Sequence, residues 1–447
     1  MRAADRAQFP VDAAETTRLF KPLTRFGRLA LAVSGGADSV ALLRLAVDWR
    51  QAVPDAPDLR VLTVDHGLRP GSATEARQVA EWAHAHGLPC CILTWSRDGT
   101  RGNLQAEARA ARYRLMAQAC HDAKIGAVVT AHHLDDQAET FMLRLARGSG
   151  VDGLGAMSEA SRIFGMTVLR PLLDVPHARL VATLHAMGQP FISDPSNESP
   201  AFARVRMRAM SQALASEGLT PRRLAATARR MRRARVALDA ATDTLADEVA
   251  SLDPLGFCTL NDNLAAAADD IALRLLSRIV MAVSGCALQP SEAALERLLA
   301  LVRAGGNGGM TLSGCRMNLT RTGAVFFRET GRRGLPELRL APGEAHIWDG
   351  RFVASLAVGA PMLDLRPLRA DGIAAIRRCG GSLRLKSRIA ATCPSLWHGD
   401  RLVFAPQIIN DGSDFGESGL AEMRALGRLR HSIEDEPEAL HTLTTMF

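Results

Sequence analysis

The chain has 447 residues, of which 47% are hydrophobic and 23% are charged. These values are ordinary for a globular protein, and the length suffices for two to four domains with substantial cores. The net charge is +7, and arginine far outnumbers lysine. This balance favours a polyanionic partner such as RNA, although GC-rich coding also enriches arginine and alanine.

The targeting and redox features favour a reducing compartment. Residues 1–10 contain no apolar signal core, and no apolar run approaches the roughly 20 residues of a membrane span. None of the eight cysteines forms a Cys-x-x-Cys pair, so the sequence offers neither a disulfide framework nor a zinc spacing. We therefore expect a cytoplasmic protein with no membrane partner.

Strands and helices are predicted to alternate over the first half of the chain. The predicted strands are the apolar runs 28–33, 59–65, 89–95 and 125–131, and the predicted helices are 38–50, 73–86, 104–122 and 134–147. Such alternation indicates a Rossmann-like parallel sheet with helices on both faces. Ligands of these sheets bind at the carboxyl ends of the strands, so residues that directly follow a strand become site candidates.

The first strand is followed by Ser34-Gly35-Gly36-Ala37-Asp38-Ser39 and then by a helix. Two glycines let the backbone approach a phosphate, and the free N–H groups at a helix start attract an anion. Asp38 indicates Mg²⁺, because a carboxylate beside a phosphate needs a cation between them. The stretch matches neither a Walker A loop nor the dinucleotide fingerprint. The alternative is an ordinary turn in which glycine gives tightness and serine or aspartate caps the helix.

The second strand is followed by residues 64–72, which combine turn residues with Asp65, His66 and Arg69. Glycine and proline indicate a turn. The charged residues fit chemistry or capping equally well, so a capped turn stays open as the alternative.

The helix over 104–122 carries Arg109 and Arg112 on one face. Guanidinium groups suit bidentate contacts with phosphate, so we expect this face to meet a phosphate site. The alternative is a surface ion pair with Glu107 or another neighbour.

The fourth strand is followed by two histidines and three acidic residues at a helix start. These are His132, His133, Asp135, Asp136 and Glu139. The acids could merely complement the helix dipole, and the histidines lack a third nitrogen or thiolate ligand at a zinc spacing. Carboxylates that hold Mg²⁺ on ATP fit better. Because Asp136 and Glu139 are three residues apart, we expect them on one helical face toward the site.

Two basic segments follow once the alternation stops near residue 171. Arg204, Arg206 and Arg208 occupy every second position, so they share a face in an extended chain and fan out in a helix. A helix that starts at Thr220-Pro221 then carries Arg222, Arg223, Arg229, Arg230, Arg232, Arg233 and Arg235. This run indicates either a solvated helix face or contact with an RNA backbone, and we favour RNA.

The remainder of the chain is expected to form two further domains. It predicts helix over 262–303, strands over 310–319 and 323–328, a linker at 330–346, and strands over 348–357, 381–389 and 401–409. We therefore expect a catalytic domain over 1–215, a mostly helical middle domain over 216–330 and a small α/β C-terminal domain over 331–447.

Several motifs occur together and in a fixed order. They are Ser-Gly-Gly-Ala-Asp-Ser from residue 34, Val-Asp-His-Gly-Leu-Arg from 64, Glu-Ala-Arg-Ala-Ala-Arg-Tyr from 107, His-His-Leu-Asp-Asp-Gln-Ala-Glu-Thr from 132, Arg-Pro-Leu-Leu from 170 and Asp-Pro-Ser-Asn from 194. The first resembles the pyrophosphate loop of the N-type ATP pyrophosphatases. The whole set resembles the tRNA(Ile)-lysidine synthases, strongly over 25–210 and loosely over 211–330.

The resemblance implies a fold similar to the adenine nucleotide alpha hydrolases and an enzyme that uses ATP, Mg²⁺ and L-lysine. Its substrate would be the isoleucine tRNA with a CAU anticodon, whose wobble cytidine becomes lysidine. Cytosine O2 would attack the α-phosphate and release pyrophosphate, and the lysine ε-amine would then displace AMP from C2. The resemblance also implies tRNA contacts by the two later domains, in a monomer or homodimer.

The family's site residues carry over to matching positions of this chain. ATP binding would fall to Ser34, Gly35, Gly36, Ala37, Asp38, Ser39, Asp65, His66 and Arg109. Catalysis would fall to Asp38, Asp136, Glu139, His133 and Arg112. Asp38 and Asp136 would hold Mg²⁺, and Asp136 with Glu139 would attract the cationic lysine.

For several arginines and histidines the resemblance leaves more than one role open. Arg109, Arg112 and either Arg204 or Arg206 would stabilise phosphate charge or bind the lysine carboxylate. His133 could polarise groups near the α-phosphate or pack structurally, and for His132 we favour packing or positioning.

One departure and two alternatives accompany the resemblance. Val205 stands where the family often has an asparagine within Arg-Asn-Arg-x-Arg, so the polar contacts of that segment are in doubt while its charge is kept. The first alternative is another AMP-forming tRNA-modifying enzyme of the superfamily. Some of these enzymes depend on a cluster held by cysteines, and the absence of a Cys-x-x-Cys pair argues against them. The second is an RNA-binding module without catalysis, which would leave the convergence of Asp38, Asp136 and Glu139 unexplained.

Overall fold

The computed structural model describes residues 9–67, 71–96, 104–193, 203–332, 334–409, 415–416, 419–427 and 429. Arg69 and the turn at 194–197 lie outside these residues. The chain divides into two compact units, the first ending at Val236 and the second beginning at Ala237. The domain boundaries expected at 215 and 330 stay predictions.

The first unit is built on a six-stranded sheet. Its strands are β1 (Arg28–Ala32), β2 (Asp58–Asp65), β3 (Cys90–Thr94), β4 (Ala127–Val129), β5 (Ala160–Ile163) and β6 (Met166–Leu169). They lie in the order β3-β2-β1-β4-β6-β5. All neighbours are parallel except β5, which pairs antiparallel with β6 at one edge. The strand order reverses between β1 and β4, and this is the switch point at which such sheets bind ligands.

Ten α-helices begin among the described residues of this unit, of which several cover the two faces of its sheet and the last continues into the second unit. They are α1 (Ala13–Phe20), α2 (Ala37–Ala52), α3 (Ser72–Ala85), α4 (Leu104–Asp122), α5 (Leu134–Leu145), α6 (Val151–Leu154), α7 (His177–Ala186), α8 (Ala203–Ala209), α9 (Ser211–Ser216) and α10 (Pro221–Val249). Alternate residues of β1 point to opposite faces. Leu29 and Leu31 join a core with α2, α3 and α7, whereas Ala30 joins a second core with Tyr113 and Met116 of α4. The predicted doubly covered parallel sheet is confirmed.

The described residues of the second unit form three antiparallel sheets and four α-helices. The sheets run β7-β8-β11-β10-β9, β12-β15-β16-β17-β18 and β13-β14-β19. The strands are β7 (Ala250–Leu252), β8 (Cys258–Asn261), β9 (Gly309–Leu312), β10 (Cys315–Thr320), β11 (Gly323–Arg328), β12 (Leu338–Leu340), β13 (Ala345–Trp348), β14 (Phe352–Leu356), β15 (Leu363–Pro367), β16 (Pro394–His398), β17 (Arg401–Ala405), β18 (Phe415–Gly416) and β19 (Ala421–Ala425). The helices are α11 (Asp269–Ser284), α12 (Glu292–Ala304), α13 (Arg369–Arg378) and α14 (Ser387–Ala390). Along α11, buried residues recur at helical spacing and pack on the first of these sheets.

Several element predictions for the second unit are wrong. The strand expected over 310–319 is a hairpin of β9 and β10, because Ser313 and Gly314 adopt positive φ and turn the chain. The expected linker at 330–346 contains β12 and the start of β13. The strand expected over 381–389 instead makes one isolated bridge, at Leu383, and then enters α14.

No helix among the described residues has the length and apolar character that crossing a membrane requires.

Candidate active site

The loop between β1 and α2 leaves the helix start open to an anion. Gly35 has a φ of +91°, and a Cβ at this position would lie 2.7 Å from Cδ1 of Ile192. The backbone conformation therefore favours glycine, and a Cβ would also displace the terminal methyl of Ile192. Gly36 is the N-cap of α2 and has no side chain that could cap the first turn. The first N–H groups of α2 are thus in the arrangement that binds phosphate at helix starts.

The two serines of this loop bond to each other and to the loop backbone. Ser39 Oγ donates to the Gly36 carbonyl at 2.9 Å and accepts from the Ser34 N–H at 3.1 Å. Ser34 Oγ lies 3.3 Å from Ser39 Oγ. Ser39 is buried, so its hydroxyl braces the loop. The predicted contact of both serines with pyrophosphate stays a prediction.

Asp38, in the first turn of α2, meets two histidines from different elements. Its Oδ2 lies 3.4 Å from Nε2 of His133, the N-cap of α5, and its Oδ1 lies 2.6 Å from Nδ1 of His177, the first residue of α7. Burial opposes ionisation of Asp38, but hydrogen bonds from the two imidazoles outweigh it and hold the pKa of its carboxyl well below the ordinary value. Asp38 is therefore an anion in the free protein.

His133 lies among three carboxylates. The backbone N–H of His133 donates to Asp136 Oδ2 at 3.1 Å and so links the N-cap of α5 to its first turn, whereas the backbone N–H of Asp136, 3.4 Å from His133 Nδ1, is accepted there only when the imidazole is neutral. Nε2 of His133 lies 3.4 Å from Oδ2 of Asp136. Burial alone would lower the pKa of His133, but hydrogen bonds to Asp135 and Asp38 and the charge of Asp136 raise it to about 10. The predicted pair Asp38 and Asp136 thus meets around one imidazole.

His177 is the functional candidate that the sequence reasoning missed. It follows Pro176, which precedes the first turn of α7. The backbone N–H of His177 donates to Asp135 Oδ2 at 2.8 Å. Hydrogen bonding to Asp38 raises the pKa of His177, against the effect of its partial burial. Its position could have identified it from the sequence: it stands at a helix start in the segment that follows β6, and residues beyond the carboxyl end of a parallel strand are site candidates.

Glu139 faces a cavity of about 280 Å³ beside this cluster. Its Oε1 accepts from Arg208 of α8, at 2.9 Å from Nε and 2.8 Å from Nη2. Asp38 and Asp135 also line the cavity. The apolar lining includes Ala138, Met142, Met207, Leu214, Leu219 and Leu224. Arg208, His133 and His177 line the cavity as well and pair with these carboxylates, so its polar end carries both signs of charge beside an apolar wall.

Asp65, His66 and Arg112 form a second polar group beyond the end of β2. Asp65 Oδ1 accepts from the Gly67 N–H at 3.0 Å and from Ser72 Oγ at 2.5 Å, and the Ser72 bond lowers the pKa of Asp65. Arg112 Nη2 lies 3.1 Å from Nε2 of His66. Burial and the charge of Arg112 lower the pKa of His66 to about 4, so Nε2 accepts from Arg112 and the proton resides on Nδ1.

The remaining predicted residues are placed as follows. The Arg109 guanidinium lies over the ring of Tyr113, with Cζ 5.3 Å from the ring centroid. His132 Nδ1 lies 2.9 Å from Oγ1 of Thr130, which accords with the positioning role favoured from the sequence. Arg206 is exposed on α8, and the side chain of Arg204 lies outside the described part of the chain.

The arginine-rich helix α10 uses some of its charges within the first unit. Arg232 Nη1 donates to the carbonyls of Gly155 and Met157 at 2.8 and 2.7 Å, and Arg229 pairs with Asp174. The exposed arginines of the same helix include Arg222, Arg230 and Arg233. Part of the run therefore serves packing, and the expected RNA contact stays a prediction for the exposed part.

Comparison with known proteins places this fold and site in a class. Residues 10–214 match the family of PP-loop domains, which use ATP. A curated tRNA(Ile)-lysidine synthase from a Bradyrhizobium species is 44% identical over 308 residues, covering 65% of this chain and 84% of the relative. The proteins of the same name from Methylobacterium nodulans and Ruegeria pomeroyi are 42% and 37% identical, covering 69% and 85% of this chain and 92% and 88% of the relatives. The chain belongs to the tRNA(Ile)-lysidine synthase family.

Among solved structures, the tRNA thiolase NcsA from Methanococcus maripaludis is 17% identical, with a TM-score of 0.42 over 49% of this chain and 78% of that chain.

Proposed function

We propose that this protein joins L-lysine to C2 of the wobble cytidine in the isoleucine tRNA with a CAU anticodon. ATP adenylates O2 of the cytosine and releases pyrophosphate. The lysine ε-amine then attacks C2, and AMP leaves together with the former O2 of the cytosine. Family membership supports the substrates, and the ATP-using class of the first unit supports the chemistry.

The observation that carries the proposal is the cavity next to the loop of α2, which has carboxylates at its polar end and an apolar wall. Lysine combines a flexible aliphatic chain with ammonium groups, and the cavity combines an apolar wall with Glu139, Asp135 and Asp38. A buried ammonium is stable only when carboxylates pair with it. The start of α2 accommodates the phosphates, so nucleotide and amine can meet at the switch point of the sheet.

Mg²⁺ is part of the proposal. Asp38 and Asp136 supply the hard carboxylate oxygens that this ion prefers, so the residues present fit it. When bound, Mg²⁺ neutralises charge that develops on the phosphates. His177 and His133 keep Asp38, which lines the cavity, in its anionic form. The first N–H groups of α2 bind the departing pyrophosphate.

The second polar group supports a nucleotide role for His66 and Arg112. No hydrogen-bond partner of His66 Nδ1 is present among the described residues, although the atom is buried. Because its proton resides there, Nδ1–H is a donor that a bound nucleotide can satisfy. Arg112 supplies a fixed positive charge next to it.

Four of the cysteines are unsuited to a catalytic role in sulfur transfer. All eight thiols are free. Burial raises the pKa of Cys90 and Cys120 to about 11 and of Cys258 and Cys393 to about 12, so these thiols remain protonated and poorly nucleophilic.

The proposal is tested with purified protein, ATP, labelled lysine and total tRNA. We expect AMP and pyrophosphate release together with label in an isoleucine tRNA. Nucleotide cleavage with another co-substrate but without lysine incorporation would favour another AMP-forming tRNA-modifying enzyme. Absence of ATP cleavage with every RNA would favour a binding module.

A further inference from the structure

Three side chains at the start of α2, α5 and α7 bring potential metal ligands together. One oxygen of Asp38 and one nitrogen each of His133 and His177 lie within 4.8 Å of one another. The Asp38–His133 separation is 3.4 Å and the Asp38–His177 separation is 2.6 Å. Ligands of a tetrahedral ion with bonds of about 2.0–2.1 Å lie roughly 3.4 Å apart. The first contact involves Oδ2 of Asp38 and the second Oδ1, so shifts of about 1 Å would bring one oxygen and the two nitrogens, already within 4.8 Å of one another, around a single ion.

The donor set is chemically unlike a magnesium site. Imidazole nitrogens suit zinc, copper, nickel and iron, whereas Mg²⁺ takes oxygen ligands and water. Two histidines and one carboxylate form the ligand set of open zinc sites, in which the fourth position is left to water or substrate. All three side chains line the cavity of about 280 Å³, which gives an ion both an entry path and room for that fourth ligand.

Asp135 supplies the supporting contacts that histidine ligands require. Its Oδ2 lies 3.6 Å from His133 Nδ1, the nitrogen opposite the one that faces Asp38, and accepts from the His177 N–H at 2.8 Å. A carboxylate behind a ligating imidazole orients the ring and increases its basicity. Asp135 thus lies behind the His133 ring and fixes the backbone of His177 at the start of α7.

We propose that Asp38, His133 and His177 form a binding site for a zinc-class divalent ion, separate in chemistry from the Mg²⁺ that accompanies ATP. The two ions share Asp38, so a bound zinc-class ion excludes the magnesium arrangement. Zinc lies far above magnesium in affinity for nitrogen-containing sites. The site is therefore inhibitory, and free zinc suppresses ATP cleavage by competing for Asp38.

Binding is measured on the metal-stripped full-length protein without ATP, lysine or tRNA, by competition of Zn²⁺ with a chromophoric chelator. We expect a high-affinity ion per chain that excess Mg²⁺ does not displace. His177→Gln should weaken this binding at least about 10-fold, since even removal of a supporting residue costs 10–100-fold. The matched control is His185→Gln, on the last turn of the same helix, where the ring stacks on Phe191.

Cobalt substitution provides a measurement that needs no variant. Co²⁺ at this site should show visible d–d bands of a nitrogen and oxygen shell and no thiolate charge-transfer band. Equal zinc affinity of His177→Gln and the unmodified protein, or a thiolate band that points to the cysteines, would overturn the proposal. Circular dichroism of both variants checks the fold, which the half-exposed His177 should not disturb. Because the assay contains no reaction component, its failure would leave the proposed lysine ligation untouched.

Discussion

Gly35 and Gly36 are adjacent, but the structure gives them different reasons to be glycine. Gly35 has positive φ, and a Cβ there would displace the terminal methyl of Ile192, whereas at Gly36 the nearest atom to an added Cβ is Ser34 Oγ at 3.9 Å. Gly35→Ala should destabilise the first unit by about 1–2 kcal/mol or more, because an alanine is strained at this φ. Gly36→Ala should keep the melting temperature but weaken ATP binding, because its methyl group occupies the approach of the phosphate. Thermal unfolding and ATP titration separate the two effects.

Equal melting temperatures for the two variants would contradict the strained geometry at Gly35. Unchanged ATP affinity of Gly36→Ala would contradict a phosphate at the start of α2.

Asp38 and Asp136 are the residues on which turnover should depend most. Asp38→Asn and Asp136→Asn each remove a negative charge from the cluster around His133. We expect turnover to fall at least about 100-fold, equivalent to roughly 3 kcal/mol of barrier, while tRNA affinity stays within about threefold. Single-turnover kinetics and filter binding on the same preparations measure both. A parallel decrease in tRNA binding would mean that the two carboxylates are structural.

His66 should remain neutral well below the ordinary imidazole range. Its pKa is about 4 in the folded protein, against the ordinary 6.5. The unfolded chain therefore binds this proton at a higher pH, so His66 makes stability fall as pH decreases from about 6.5 to about 4. An NMR titration should show a neutral ring at pH 5.5. Arg112→Gln should raise the pKa of His66 by removing the adjacent charge, and titration near 6.5 in the unmodified protein would contradict the buried contact.

At the scale of single residues, the sequence predicted several of the side chains that meet, but neither their contacts nor all of their partners. Position after a strand identified Asp38, His133, Asp136 and Glu139 as candidates, because the carboxyl ends of parallel strands share one edge. It could not predict the shared imidazole of His133, since its place as N-cap depends on the exact start of α5. His177 was missed because its helix lies outside the motif-bearing loops.

At the scale of elements, the contribution of α10 to tRNA binding can be tested apart from catalysis. Arg222, Arg230 and Arg233 are exposed on this helix. Their triple replacement by alanine should weaken tRNA binding and reduce the slope of log affinity against log salt by roughly 0.7–0.9 for each phosphate that these arginines neutralise. Binding isotherms at several salt concentrations measure this slope.

The matched control for α10 replaces three exposed arginines of other helices and strands of the first unit, Arg18, Arg50 and Arg60. It removes the same charge, so a difference between the two triples reports a specific interaction of α10 with the tRNA. Equal slopes would assign α10 to packing alone.

Short hairpins were the elements that the sequence predicted least well. The turns at Ser313-Gly314 and Asp349-Gly350 each adopt positive φ at both residues and join β9 to β10 and β13 to β14. The first turn has two residues and the second three, residues 349–351. Such short turns interrupt the apolar pattern only briefly, so periodicity merged the first pair into one strand. At 381–389 the alternation of Leu383 and Leu385 reflects packing into a core rather than strand pairing.

At the scale of the whole molecule, the sheet of the first unit was predictable because its signals are redundant. Each buried parallel strand is a continuous apolar run, and each crossover requires a helix, so the motifs fall at a common edge. The described strands of the second unit are antiparallel and two to six residues long, so they carry little periodic signal. Its sheets include pairs of strands that are distant in the sequence, and the composition does not reveal which strands pair.

The central claim is that a cytidine in an isoleucine tRNA gains lysine, and the mass of that nucleoside tests it most directly. The tRNA with a CAU anticodon is incubated with the protein, ATP and lysine, digested to nucleosides and analysed by mass spectrometry. The account predicts a wobble cytidine heavier by one lysine less one water, and only when ATP and lysine are both present. An unmodified wobble cytidine despite ATP cleavage, or a sulfur-containing nucleoside, would contradict it.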